Sequence, residues 1–92
     1  MKSILQDEKR CWFCGSHSWL EEHHIFEGTA NRRISEANGF KVYLCHYCHN
    51  EPPRGVHFNR ENSLRLKKAC QQKYERTHSR EEFMSLIGRN YL

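Results

Sequence analysis

Four cysteines and three histidines supply the residue types in this chain best suited to chemistry. Two C-x-x-C pairs, Cys11–Cys14 in CWFC and Cys45–Cys48 in CHYC, each set two sulfurs at the spacing that fills two vertices of a tetrahedron. Together they would complete a four-thiolate zinc site, which has no open position and so stabilises without reacting. Two redox C-x-x-C motifs are the competing reading, but no βαβ pattern surrounds either pair. Between the pairs lies LEEHHIF, residues 20–26, with His23 and His24 side by side, and His49 directly follows the last cysteine. Neighbours on a strand point to opposite faces. The two imidazoles can therefore divide two jobs between them, unless they are a chance pairing in a chain with seven histidines.

Thirty residues separate Cys14 from Cys45, more than common zinc-finger and ribbon spacings allow. A segment has been inserted between the two halves of the knuckle, and the double histidine is inside it. Zinc would tie the ends of this segment together and fix where His23 and His24 lie relative to His49.

The elements that must hold these groups follow from pattern. Residues 18–26 read as a first strand, GTANRRISEANG (28–39) as a polar loop, and FKVYL (40–44) as a second strand entering the second cysteine pair. HNEPPRG (49–55) should break regular structure, because Pro52 and Pro53 lack amide donors. A helix follows, capped by Asn59, with Leu66, Ala69, Cys70 and Tyr74 on one face. Cys70 is read as a small buried hydrophobe. A last helix starts at the capping box Ser79–Glu82, carries Phe83, Leu86 and Ile87 inward and ends at Gly88. The order predicts one α+β domain over residues 1–92: a zinc-stapled core over about 11–75 and a C-terminal capping helix over about 79–88.

Composition bounds the setting. With 92 residues, 37% of them hydrophobic, and a mean hydropathy of −0.94, the chain can bury one modest core that benefits from a staple. No apolar run approaches the roughly 18–20 residues that span a bilayer, and MKSILQDEKR lacks the apolar stretch of a secretory signal. No membrane association and a reducing cytoplasmic setting are expected, one in which cysteines bind metal more often than they form disulfides. The net charge of +4 and pI near 8.9 allow a polyanionic partner. The excess is concentrated after residue 58, with eight Arg/Lys against four Asp/Glu.

C-x-x-C, then HHI on a strand, then C-x-x-C-H opening toward a helix resembles the HNH (ββα-metal) endonucleases that carry a structural zinc. The likeness covers about residues 11–75. HHIFEGTANRRISEANG and GVHFNRE further resemble short phage-encoded members, which would place the chain in a host cell's cytoplasm. The resemblance implies a ββα-metal fold and DNA cleavage through one divalent ion, Mg2+ or Mn2+, with Ni2+ or Zn2+ as alternatives. His23 and His49 match the metal-binding positions and His24 the general base. An imidazole with an ordinary pKa near 6.5 suits that task. His57 could return as a further ligand or be a plain surface histidine. The acceptor that orients a metal-bound imidazole could be Glu21 or Glu22, otherwise surface carboxylates.

Two departures stand out. FKVYL supplies no asparagine to orient the base, leaving Asn31 and Asn38 as substitutes by position alone, and the two prolines interrupt the helix after His49. Arg32 and Arg33 could clamp a phosphate oxygen with paired guanidinium donors or be solvent-exposed. Lys67 and Lys68, on the basic helix face, either contact DNA or form a solvated surface. His17, His46 and His78 read as ordinary polar residues, with His46 facing solvent. The expected function is metal-dependent hydrolysis of DNA phosphodiesters by nicking or structure-selective cutting, since so small a chain leaves little surface for extended base readout. A non-catalytic zinc-knuckle binding module and an accessory protein of phage recombination or packaging are the alternatives. A homodimer is left open.

Overall fold

Alternation of apolar and polar side chains gives two short strands, and everything else is arranged around that pair. In the computed structural model, which describes residues 1–92, the order is β1 (Leu20–His24), α1 (Thr29–Asn38), β2 (Lys41–Cys45), α2 (His46–Asn50), α3 (Arg60–Tyr74) and α4 (Arg80–Ile87). The result is an α+β fold with a two-stranded antiparallel sheet and four helices. β1 pairs with β2 so that His23 lies opposite Val42, His24 opposite Lys41 and Leu20 opposite Cys45. The strand ends fall within two residues of those expected from pattern. No helix is long and apolar enough to cross a membrane.

Residues 28–39 are the main correction to the sequence reading, for they form a helix and not a loop. α1 runs between two glycines in positive-φ conformations, Gly28 (φ 95) and Gly39 (φ 72). Gly39 is its left-handed C-cap, with its amide donating to the Ser35 carbonyl. A Cβ at Gly39 would run into the carbonyl of Lys2, so the N-terminal segment also depends on this glycine. Polar composition hid the helix. Its fully buried residue is a serine, Ser35, with Ile34 only partly buried against the core, so no apolar stripe repeats at helical spacing.

α2 begins inside the second C-x-x-C and takes in His49 and Asn50, so the break comes at Glu51, just before the prolines. Beyond them the chain folds back on α2. Gly55, Val56 and His57 donate their amides to the carbonyls of Glu51 (2.7 Å), Cys48 (2.9 Å) and His49 (3.3 Å). A Cβ on Gly55 would lie 2.7 Å from the Glu51 backbone, closer than side chains approach. Glycine at this position lets the returning loop close on the helix end.

α3 and α4 behave as their signals suggest. Asn59 accepts the Asn62 amide at 2.9 Å, and Ser79 and Glu82 form the reciprocal capping box. Leu66, Cys70 and Phe83 are fully buried, and Tyr74 nearly so. They join Phe26 and Phe40 in an aromatic core where Phe40 meets Tyr74 edge-on at 5.3 Å and Phe26 meets Phe83 at 5.6 Å. Gln71 is polar yet fully buried. Its amide donates to Glu75 and Asn90, and its carbonyl accepts the Tyr91 amide, which ties the C-terminal segment down.

Candidate metal centres

The four cysteines converge as their spacing predicts. In CWFCGS, Gly15 adopts φ 78 and donates to the Cys11 carbonyl at 2.9 Å, closing the first turn. The second pair lies at the β2–α2 junction, where Cys45 precedes the helix and Cys48 sits in its first turn. Their four sulfurs all lie within 4.8 Å of one another, and Cys14 and Cys45 are 3.6 Å apart. Four thiolates bound to zinc at about 2.3 Å would be separated by about 3.8 Å, so the cluster fits that ion. Burial opposes ionisation of Cys11, but the backbone amides of Cys14, Cys45 and Phe13 bring its thiol down to about 7. Burial and the neighbouring sulfurs push Cys48 up, a conflict that a bound dication would relieve. Cys70 is apart from the cluster and buried, as expected.

A second convergence involves His23, His49 and His57, whose ring nitrogens also lie within 4.8 Å of one another. Each comes from a different segment: β1, the last turn of α2 and the returning loop held by Gly55. Ring centroids are 5.0 Å apart for His23–His49, 5.4 Å for His23–His57 and 4.7 Å for His49–His57. His23 is 6% exposed, and burial, followed by the charge of His49 and His57, holds its pKa down to about 3. It is therefore neutral, the form that ligates metal. Burial also lowers His49, against the opposing effect of its hydrogen bond to Glu21.

Glu21 decides the tautomer of His49. A carboxylate only accepts, so His49 must donate its Nδ1–H to Glu21 at 2.7 Å, leaving Nε2 bare. That bare nitrogen is 3.0 Å from Nε2 of His57. A metal-bound histidine anchored by a carboxylate at its other nitrogen has this geometry. Glu21 also accepts from Asn50 at 2.8 Å and from His46 at 3.1 Å, and the His49 hydrogen bond leads in lowering its pKa. His46 does not simply face solvent. Its second nitrogen meets Glu51 at 2.9 Å, and the two carboxylates, Glu21 first, raise its pKa.

Comparison with protein-family models, with curated proteins and with solved structures returns no match. The site is therefore read from its own geometry.

His24 follows the strand rule and points away from the trio's face, yet it lines the same cleft of about 520 Å³ as His23, His49, His57 and Arg32. Its Nε2 lies 2.9 Å from Glu36, a residue of α1 that sequence reasoning did not single out. Asn38, one of the two substitutes for an orienting asparagine, donates instead to the Ile34 carbonyl of its own helix. Both Arg32 and Arg33 project from α1. Arg32 reaches the cleft, while Arg33 lines a neighbouring cavity with His24 and Glu36. Lys67 pairs with Glu27 at the cleft edge at 3.0 Å and lies 5.5 Å from the Tyr91 ring, so it is committed within the molecule. Lys68 is exposed.

Proposed function

We propose that the protein is a metal-dependent DNA endonuclease of the HNH (ββα-metal) type, with His24 as general base and His23, His49 and His57 as ligands of a catalytic divalent ion. One observation carries the reading: a base-type histidine and three imidazoles from separate segments line one cleft with an arginine. The donor set supports it. Three imidazole nitrogens, one already backed by a carboxylate, suit a transition-metal site with open positions for substrate. Imidazole ligands favour Mn2+, Ni2+ or Zn2+ over Mg2+, which prefers oxygen.

A bound ion at this site would polarise the phosphoryl oxygen and stabilise the departing 3′ oxygen. The chain's own residues do the rest. His24 accepts the proton of the attacking water. Arg32, which lines the same cleft, offers paired donors to a non-bridging oxygen. Glu21 holds His49 in the one tautomer that presents Nε2 to the ion. The cysteine cluster, with zinc, keeps α2 and therefore His49 docked against β1.

The test is cleavage of supercoiled plasmid by the full chain, loaded with zinc and supplied with Mg2+, Mn2+ or Ni2+ in turn. Nicked product that disappears with chelator and with His49→Ala supports the endonuclease. Tight DNA binding without cleavage under any ion would favour the non-catalytic binding module instead.

A further inference from the structure

A second cluster, beside the cleft, joins Glu22, His24 and Glu36, whose candidate ligand atoms lie within 4.8 Å of one another. Read by residue type alone it could be another metal site. Lys41 excludes that reading. It lies opposite His24 in the sheet register, and its ammonium sits 2.8 Å from Glu36 and 3.7 Å from Glu22. The place a cation would take between the two carboxylates is already held by a covalently attached one.

What remains is a directional relay. Glu36 uses both oxygens: Oε1 accepts from Lys41 at 2.8 Å and Oε2 meets His24 Nε2 at 2.9 Å. Glu22 is farther from that nitrogen, at 3.9 Å. An ionised carboxylate has no proton to give, and Lys41 followed by His24 holds the Glu36 carboxyl down to about 2. The proton in the His24–Glu36 bond therefore belongs to Nε2, and Nδ1 is left with its lone pair. Glu36 can be held this way because it sits in the last turn of α1, just before the cap at Gly39 that locks the helix end beside the N-terminal segment.

We propose that Glu36, fixed in place by Lys41, is the positioning residue that holds His24 in its Nε2–H tautomer and so makes Nδ1 the atom that takes the proton from water. The carboxylate fills the role that an orienting amide would otherwise serve, from α1 and not from the second strand. The catalytic half of this proposal rests on the endonuclease reading; the tautomer half does not.

The two halves are tested separately. Long-range 1H–15N correlation on the zinc-loaded full chain at about pH 8, above the usual imidazole range, reads the tautomer of each histidine, with His24→Gln assigning the peak. The parent should show His24 as Nε2–H. Glu36→Ala should shift it toward a mixture, and Glu36→Gln, whose single oxygen is taken by Lys41 so that its NH2 faces Nε2 as a donor, should drive it to the Nδ1–H form. In the plasmid assay Glu36→Ala and Glu36→Gln should each lower kcat by roughly 10- to 100-fold, the scale seen when a carboxylate is removed from behind a metal-bound histidine, with KM and metal dependence unchanged. A parent in the Nδ1–H form, or a Glu36→Ala variant whose His24 tautomer is unmoved, overturns the proposal. If the parent does not cut DNA, the endonuclease reading fails, and the tautomer measurements still decide what Glu36 does.

Discussion

The two ends of this molecule are held together by different means. Around the knuckle and the cleft, the buried groups are Cys11, Cys45, Cys48 and His23, side chains that gain little by packing and much by ligating. At the other end Phe26, Phe40, Tyr74 and Phe83 interlock as rings, with Leu66 and Cys70 beneath them. The aromatic end is complete within the chain. The ligating end has the donors to hold an ion, and it contains every group proposed to act in catalysis. Four of the 18 buried residues are candidate ligands, and in a chain of this size, with only a modest apolar core, an ion held by the cysteines would add substantially to stability.

Removing zinc should therefore have the largest effect. Cys11→Ser or Cys45→Ser is expected to abolish the cooperative fold, because structural zinc contributes on the order of 10 kcal/mol of binding free energy. Cys70→Ala should keep its full zinc content. Metal analysis and circular dichroism decide: a well-folded parent containing no zinc would break the comparison. Phe83→Ala attacks the other end. Truncating a fully buried phenylalanine costs about 3–5 kcal/mol, which urea denaturation would read, and zinc stoichiometry should be unaltered in whatever fraction remains folded.

Smaller changes sharpen the picture. Ser35 buries a hydroxyl that has no hydrogen-bond partner in the protein. Ser35→Ala should leave stability unchanged or raise it by about 1 kcal/mol; a loss of that size would reveal a partner for the hydroxyl. Lys68 is free where Lys67 is paired, so Lys68→Ala should weaken DNA binding for all sequences alike and reduce the salt slope by about one. An unchanged slope would make Lys68 solvated surface.

How much of this was legible in the sequence depended on whether a side chain announces its job by spacing. Cysteine pairs do, and so do the capping box at Ser79 and the apolar face of α3. The adjacent histidines, His49 and the doubtful His57 were all identifiable, and the structure brings three of the four to one point. α1 was not legible, because a helix between positive-φ glycines with a buried serine has no apolar period to detect. Glu36 went with it, since a carboxylate in a supposed loop looks like any other surface charge. His46 was misjudged for a related reason: its partners Glu21 and Glu51 come from β1 and from the end of α2, and only the paired register of the sheet brings the first of them near. Gly55 was a readable residue whose meaning, a close approach of two backbones, exists only in three dimensions.

The central claim is that adjacent histidines on β1 divide metal binding from proton transfer, and a paired rescue experiment tests it most directly. His24→Ala and His23→Ala, both confirmed to be folded and zinc-loaded, are assayed on supercoiled plasmid across a wide range of Mn2+. Both should lose activity, with His24→Ala down at least the roughly 10² to 10⁴-fold typical of a missing general base. Excess metal should partly restore His23→Ala, whose defect is weaker ion binding, and should never restore His24→Ala, whose water has no proton acceptor. A His24→Ala protein that cuts as fast as the parent, or that metal rescues while His23→Ala stays inactive, contradicts the assignment.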